Sequence, residues 1–338
     1  MSKQDTTMKN NLSKDLPEPL SVITAKNIQK NYNLKGGFIF KALRGINLTV
    51  NKGEVFTIVG HNGAGKSTFI KIIMGLTNPT GGDISILNTD TALNLPKNIK
   101  AKIGYIPETV NFYGNLTGME TMKFFGKLNG VYDEKLFAGL LESVGILKAA
   151  DKKVIAYSKG MRQRLAFAVS QIKNPDIFIF DEPTSGMDPS GINEFVLLVK
   201  SLHKEGKTII MTSHILPEVE DISDRICIMM NGEVTALGGI NDLIEKAGLT
   251  TFINLRFKDG YVPEITTLED MKAESLLIDF SKSEINSEIN IGFLEKNRIK
   301  LLDKIISKYE NMLEDLNIKK PGLFEIYKHF SVKRGTND

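Results

Sequence analysis

A glycine-rich run near residue 60 has the residue types and the spacing that phosphate chemistry requires. It reads Gly60-His61-Asn62-Gly63-Ala64-Gly65-Lys66-Ser67 and fits the pattern G-x-x-x-x-G-K-[ST]. In such a loop, backbone N–H groups and a helix N-terminus surround an anion, and the helix dipole favours its negative charge. The lysine can reach the β- and γ-phosphates, and the hydroxyl after it can ligate Mg²⁺. The run therefore predicts binding of a nucleoside triphosphate.

The residues on either side of this run predict the two elements that must position it. Val55–Val59 is short, apolar and partly β-branched, as expected of a buried parallel strand. Residues 67–74 read as the first turns of a helix, which Gly75 ends. The residues of this unit that we expect to contact nucleotide are Gly60, His61, Asn62, Gly63, Ala64, Gly65, Lys66, Ser67 and Thr68.

A second segment supplies the carboxylates that hydrolysis needs. Ile177–Asp181 is apolar up to its final aspartate, and Glu182 follows it directly. Ligands bind at the carboxyl ends of parallel strands, so Asp181 would lie beside Ser67 and hold Mg²⁺. Glu182 would then polarise a water in line with the γ-phosphate. The alternative is an apolar strand that simply ends in solvated acids, and the upstream loop favours the metal site.

Composition and charge are those of an ordinary globular protein. Of 338 residues, 41% are hydrophobic and 25% charged, and the net charge of +3 does not indicate a nucleic-acid binder. The sequence lacks both an apolar run of about 18 residues and the apolar segment of a signal peptide. Cys227 is the single cysteine, which excludes an internal disulfide and multi-cysteine metal sites. We therefore expect a cytoplasmic protein.

Changes of pattern divide the chain into three predicted parts. Residues 1–19 are polar and are predicted to form a mobile tail. Residues 20–244 are predicted to form the main domain, with antiparallel strands over 21–50 and a helical part over about 109–173 that contains a capping box on Thr117. After Pro175 strands and helices alternate, which indicates a largely parallel sheet. Residues 245–338 are predicted to form an accessory domain with strands and a long amphipathic helix. The apolar face of that helix comprises Ile299, Leu302, Ile305, Ile306, Tyr309, Met312, Leu313 and Leu316.

In their order, these motifs resemble those of the ATP-binding subunit of an ABC transporter, over roughly residues 21–240. Ser158 and Gly160 match the main positions of the family's signature loop, whose usual form is Leu-Ser-Gly-Gly-Gln. Asp188 lies in the segment that matches the D-loop, and His214 matches the switch histidine that contacts the γ-phosphate. Taken singly, these residues could be a helix cap and a surface histidine. Their order and spacing favour the family roles.

Two further positions carry the resemblance less directly. Tyr32 matches the aromatic residue that stacks on adenine, although Phe38 or Phe40 could compete for that role and a core tyrosine is the alternative. Glu108 stands where the family usually has glutamine, on the hinge between the sheet and the helical part. A carboxylate there can still accept from the water shell of the metal. The Pro-Glu pair at 107–108 resembles exporters more than importers.

The resemblance implies an α/β fold of the P-loop NTPase (ABC ATPase) class, with a mixed sheet, an antiparallel β subdomain, a helical subdomain and a small α+β C-terminal domain. It implies ATP and Mg²⁺ as cofactors and an ATPase that drives transport, with export favoured. The implied metal ligands are Ser67, Asp181 and Glu108. The implied catalytic residues are Glu182, His214 and Lys66. Because Ser158 and Gly160 would act on the ATP of another subunit, the chain is expected to pair with itself or with a similar ATPase.

The implied partner is a separate transmembrane permease, with the chain peripheral on the cytoplasmic face of the membrane. The alternative is a soluble ABC-type ATPase that acts on nucleic acid or ribosomes. Such members usually carry two cassettes in one chain, long inserted coiled coils or zinc-binding cysteines, and this sequence has none of these. A purely regulatory nucleotide binder is a third possibility. The residues that argue against it are the intact Lys66, Asp181, Glu182 and His214. Transport is the favoured reading, and no nucleic acid is expected as a partner.

Overall fold

The computed structural model describes residues 20–92, 94–258, 265–283 and 288–335, and the strands of these ranges form three sheets. The predicted tail over residues 1–19 lies outside the described residues. The central sheet contains β3 (Val55–Val59), β6 (Ile103–Ile106), β7 (Ile177–Asp181), β8 (Thr208–Ser213), β9 (Arg225–Met230) and β10 (Glu233–Gly238). Their order in space is β10-β9-β3-β8-β7-β6, and neighbours are parallel except for β10 against β9.

The apolar runs of this sheet explain its burial. Every residue of β3, β7 and β8 is buried, as expected for parallel strands that are covered on both faces. The predicted bounds of β3 and β7 are confirmed. Cys227 lies in β9 with no exposed surface, and this burial raises the pKa of its thiol to about 12.

An antiparallel sheet covers one face of the central sheet. It contains β1 (Ser21–Asn33), β2 (Ile39–Asn51), β4 (Gly81–Ile86) and β5 (Thr89–Asp90), in the order β2-β1-β4-β5. The helix α1 (Lys66–Ile73) lies between the two sheets, where Ile23, Ile58 and Phe69 are fully buried in one apolar cluster. This cluster fixes the start of α1 at the carboxyl end of β3.

Helices cover the other face. They are α3 (Gly118–Leu128), α4 (Glu134–Ser143), α5 (Lys159–Ser170), α6 (Pro189–Lys204), α7 (Leu216–Glu220) and α8 (Ile240–Ala247), whereas α2 (Lys97–Lys100) contributes Ile99 to the apolar cluster beneath the antiparallel sheet. The predicted capping box is confirmed at α3, because the Glu120 N–H donates to Thr117 Oγ1 at 3.1 Å and the Thr117 N–H donates to Glu120 Oε2 at 2.8 Å. The rings of Phe167, Phe180 and Phe195 pack together at centroid distances of 5.5–5.9 Å. Among the described helices, none is long and apolar enough to cross a membrane.

The remaining elements form a layer of their own, apart from the last helix. They are β11 (Thr251–Phe257), α9 (Ile265–Ala273), β12 (Asp279–Ser283), β13 (Glu288–Phe293), α10 (Arg298–Tyr309), β14 (Leu313–Lys319) and α11 (Leu323–Gly335). The strands pair antiparallel in the order β12-β13-β11-β14. Ile253, Ile291 and Ile305 are fully buried in the apolar cluster of this layer. We call this layer, which is the four strands with α9 and α10, the accessory sheet.

The prediction of one long amphipathic helix through Leu316 is wrong for its second half. α10 ends at Tyr309, and Leu313 and Leu316 lie on β14, which pairs with β11. Apolar residues at helical spacing continue past Tyr309, but the backbone N–H and C=O groups there form their hydrogen bonds with β11 instead of within a helix. The buried face also differs from the predicted one, since Leu301 is fully buried whereas Ile299 is 82% exposed.

The last helix leaves the accessory sheet and packs on the core around the central sheet. Leu323 and Ile326 of α11 have no exposed surface and belong to the same apolar cluster as Val219 and Leu243. Residues 320–322 connect β14 to α11. The domain boundary near residue 245 stays a prediction, and packing groups α11 with the first part of the chain.

Candidate active site

The loop of residues 60–67 leaves the carboxyl end of β3 and enters α1, as the glycine pattern predicted. Gly65 precedes α1 with φ +103°, in the region that favours glycine. A Cβ at Gly65 would lie 2.8 Å from the Ala42 carbonyl oxygen, and one at Gly60 would lie 2.4 Å from that of Met229. The loop is thus pressed against β2 and β9, and only glycine fits at these two positions.

Lys66 is buried at the base of the loop and its charge is paired. Its ammonium donates to the Gly60 carbonyl oxygen at 2.7 Å and lies 3.1 Å from Glu182 Oε1. The side chain is 5% exposed, so pairing is what makes its burial tolerable. An ammonium at this point faces any anion that binds to the loop.

Asp181 and Ser67 meet as expected for ligands of one metal ion. Ser67 Oγ donates to Asp181 Oδ1 at 3.2 Å, and Thr212 Oγ1 donates to the same oxygen at 2.7 Å. Asp181 is 3% exposed and lies at the last position of β7. A hydroxyl and a carboxylate are hard oxygen donors of the kind that Mg²⁺ prefers, so the donor set fits this ion.

The field around these carboxylates also favours a cation. Burial, together with the negative charges of Asp181 and Glu108, raises the pKa of Tyr105 to about 12. Tyr105 lies on β6, next to β7, and Glu108 is exposed two residues after β6 ends. The carboxylates thus create a negative potential at the point where a divalent ion would bind.

Glu182 is turned toward the loop by an unusual backbone conformation. Its φ is +48°, which a non-glycine residue adopts at a cost and which occurs often at functional sites. Its Oε2 lies 2.6 Å from His214 Nδ1 and accepts the His214 N–H at 3.3 Å, while Oε1 faces Lys66. The carboxylate is therefore held at both oxygens.

A cavity of about 300 Å³ opens above the loop and joins most of the predicted nucleotide contacts. Its lining comprises Phe40, Ala42, Asn62, Gly63, Ala64, Gly65, Lys66, Ser67, Thr68, Glu108 and Glu182. The aromatic side chain in this lining is Phe40, one of the two competitors for the adenine contact. Tyr32 lies directly opposite Phe40 across the β1–β2 pair, with the Lys30 ammonium 5.1 Å from its ring centroid. Both aromatic residues stay candidates for the adenine contact.

The matched residues of the signature loop and D-loop do not line this cavity. Ser158 is exposed and caps α5, since its Oγ accepts the Met161 N–H at 3.2 Å, and Gly160 follows in the first turn. Asp188 caps α6 by accepting the Gly191 N–H at 2.9 Å. The start of α5 is therefore an exposed, capped helix N-terminus outside this cavity, and its contact with nucleotide stays a prediction.

Sequence reasoning missed three residues that shape the site. Thr212 accepts the Glu182 N–H at 2.9 Å and donates to Asp181, and its place two residues before His214 could have suggested this role. Glu218 accepts a hydrogen bond from Thr184 of the D-loop segment, and burial raises the pKa of its carboxyl. Tyr327 accepts the His61 N–H at 3.1 Å, which no local pattern predicts across 266 residues.

Comparison with known proteins identifies the family. A family model described as "ABC transporter" matches residues 43–185. The linearmycin resistance ATP-binding protein LnrL of Bacillus subtilis (strain 168) is 32% identical over 316 residues, which cover 90% of this chain and 97% of LnrL. The bacitracin transport ATP-binding protein BcrA of Enterococcus faecalis is 33% identical over 303 residues, which cover 87% of this chain and 94% of BcrA.

A solved structure agrees with the sequence relatives. It is the dimeric post-hydrolysis state of the ATP-binding cassette MJ0796 with ADP and phosphate, which is 28% identical to this chain with a TM-score of 0.58. The match covers 64% of this chain and 98% of the cassette. The fold is therefore that of the ABC ATPase cassettes, and this part of the chain binds nucleotide. The chain belongs to the ABC transporter family as an ATP-binding subunit that couples ATP hydrolysis to transport.

Proposed function

We propose that this subunit powers export by a separate membrane permease and hydrolyses ATP with Glu182 as the general base. The observation that carries the catalytic part is the position of Glu182, held between Lys66 and His214 beside the Ser67–Asp181 pair. Export is supported by two relatives that match over nearly the whole chain and are named for linearmycin resistance and bacitracin transport. The cargo is set by the permease.

The loop would hold the triphosphate through its N–H groups and Lys66. Ser67 and Asp181 would hold Mg²⁺, with Glu108 accepting from its water shell. When bound there, Mg²⁺ neutralises phosphate charge and orients the oxygens that react. Either Phe40 or Tyr32 would stack on adenine.

Glu182 changes partner in this scheme. In the structure its Oε1 is engaged by the Lys66 ammonium at 3.1 Å. A bound γ-phosphate attracts that ammonium, which frees Oε1 to accept a proton from the attacking water. His214 Nδ1, 2.6 Å from Oε2, keeps the carboxylate oriented while Lys66 moves to the phosphates.

The site would be completed by a second subunit, either a copy of this chain or a similar ATPase. Ser158 and Gly160, at the exposed start of α5 in the second subunit, would contact the γ-phosphate of the first. ATP then joins the two subunits, and hydrolysis removes a contact that holds them together. We place this dimer on the cytoplasmic face of the membrane, against the permease.

Glu182→Gln tests the assignment of the base. The amide keeps the size of the side chain but cannot accept a proton, so turnover is expected to fall by about 10²–10⁴-fold while ATP binding persists. Phosphate release measures turnover, and light scattering after gel filtration measures an ATP-dependent dimer that should accumulate. Glu205→Gln, at an exposed glutamate after α6, is the matched control. A Glu182→Gln variant with full turnover would overturn the assignment.

The transport part has its own test. The subunit, expressed together with a candidate permease from a neighbouring reading frame, is expected to copurify with it from detergent. ATP turnover in that complex should then respond to the permease. A subunit that purifies alone, with every neighbouring membrane protein supplied, would contradict the proposed partner and leave the ATPase assignment intact.

A further inference from the structure

The last helix of the described chain touches the phosphate loop. Tyr327 lies in the second turn of α11, and its hydroxyl oxygen accepts the His61 N–H at 3.1 Å. Its ring packs against the apolar cluster of the central-sheet core, and the side chain is partly buried. A residue that follows the accessory sheet in sequence therefore contacts the nucleotide site.

This hydrogen bond acts on a peptide unit that also anchors Lys66. The carbonyl of Gly60 accepts from the Lys66 ammonium at 2.7 Å, and the N–H of the same peptide unit belongs to His61. Because a peptide unit is planar, an acceptor that fixes the direction of the N–H also fixes the direction of the carbonyl. Tyr327 and Lys66 thus hold one peptide plane from its two sides.

Tyr327 is itself held by a well-anchored helix. The Leu323 N–H donates to Glu220 Oε2 at 2.9 Å, and the Gly322 N–H donates to Glu325 Oε2 at 3.0 Å. Leu323 and Ile326 have no exposed surface. Glu220 ends α7, which begins two residues after His214. The helix α11 is therefore hydrogen-bonded both to the phosphate loop, through Tyr327, and to the helix that follows His214, through Glu220. Because the helix is anchored in this way, the Tyr327 hydroxyl holds the His61 N–H of the loop in a fixed position.

We propose that Tyr327 is a positioning residue for ATP binding, which orients the Gly60–His61 peptide so that Lys66 is held where the phosphates bind. The proposal rests on the phosphate-binding role proposed above for Lys66. It makes α11 part of the nucleotide site, although α11 follows the accessory sheet in the chain. A merely structural hydroxyl would instead contribute to folding stability and leave nucleotide affinity unchanged.

Tyr327→Phe in the full chain tests the proposal, because it removes the acceptor and keeps the ring. Loss of one neutral hydrogen bond corresponds to roughly a two- to tenfold change in an equilibrium constant. We expect the Kd for ADP, by titration calorimetry, and the KM for ATP to rise by that factor. The kcat at saturating ATP and the Tm should stay close to those of the unmodified protein. Hydrogen exchange of the His61 amide should become faster.

The matched control is Tyr132→Phe, at a tyrosine that is 73% exposed between α3 and α4, and it should change none of these quantities. An unchanged Kd and KM in Tyr327→Phe would overturn the proposal, as would a lower Tm with unchanged affinity. Lys66→Ala separates this failure from that of the proposed function. Unchanged ADP affinity in Lys66→Ala would refute the role of Lys66 itself, whereas a loss there with unchanged affinity in Tyr327→Phe would refute only the role of Tyr327.

Discussion

Two adjacent carboxylates at the end of β7 have different surroundings, and this separates their chemistry. Asp181 accepts from two hydroxyls, Ser67 and Thr212, which leaves an oxygen-rich site suited to a metal. Glu182, with its positive φ, instead faces one ammonium and one imidazole. The positive φ of Glu182, directly after the end of β7, therefore gives two consecutive carboxylates different partners, as the separate roles proposed for them require.

Lys66→Ala should weaken nucleotide binding and also destabilise the fold. The phosphates would lose charge-assisted contacts, so affinity for ADP should fall by about tenfold to a hundredfold or more. Glu182 would keep only His214 as a partner, and breaking a buried pair in this way costs about 3 kcal/mol. Titration calorimetry and urea unfolding measure the two effects. Lys71→Ala, at an exposed lysine of the same helix, should show neither, and equal losses in both variants would contradict the assignment.

For the individual site residues, the sequence predicted which side chains would lie together but not which contacts hold them there. The loop and Asp181 were found because they follow or end a recognisable apolar strand, whereas His214 was found through its match to the switch histidine of the family. Their clustering then follows from parallel strand order. The φ of Glu182 and the bridging hydroxyl of Thr212 depend on tertiary contacts that leave no spacing signal. The site residues and their roles stay predictions until variants are measured.

Among the elements, a side-chain N-cap occurs both at α3, for which no role in the site is proposed, and at α5, for which one is. Thr117 accepts the Glu120 N–H at the start of α3, and Ser158 accepts the Met161 N–H at the start of α5. Both caps satisfy a backbone donor that would otherwise be unpaired. Only the start of α5 has been matched to the signature loop, so the two caps allow stability and activity to be separated.

Ser158→Ala and Thr117→Ala should therefore differ in activity but not in stability. Each loses an N-cap that contributes about 1 kcal/mol, which urea unfolding measures. Ser158→Ala should also lower ATP turnover roughly tenfold or more, since its hydroxyl would donate to a phosphate in the dimer. Equal turnover in the two variants would show that Ser158 is a helix cap and nothing else.

Element bounds were predictable where local pattern and tertiary packing agree. β3 and β7 are short apolar runs that end at a glycine loop or at an acid, and their predicted bounds are confirmed. α10 shows the opposite case, since helical spacing continued beyond Tyr309 into residues that pair with β11. Periodicity describes one segment at a time, so it does not detect a strand partner located about 60 residues away.

In the whole molecule, the elements that pack together are not always neighbours in the sequence. The accessory sheet has an apolar cluster of its own, whereas α11 contributes Leu323 and Ile326 to the cluster of the central sheet. A defect inside the accessory sheet should therefore stay local. A defect under α11 should reach the nucleotide site through Tyr327.

Ile291→Ala and Ile326→Ala test this division with the same chemical change. Both isoleucines have no exposed surface, and each substitution should cost about 2–5 kcal/mol. Ile326→Ala should also raise the Kd for ADP, because it loosens the helix that carries Tyr327. Ile291→Ala should leave that Kd unchanged. Calorimetric melting and ADP titration measure the pair, and a shared rise in Kd would show that the two clusters are coupled.

The position of α11 also has a consequence for synthesis on the ribosome. Chains are made from the N-terminus and begin to fold in that order. Leu323 and Ile326 are translated after the entire accessory sheet, yet they cover Val219 and Leu243, which are made far earlier. Until α11 emerges, the apolar side chains of α7 and α8 that pack against it lack this cover. The nucleotide loop thus receives its last support late in translation.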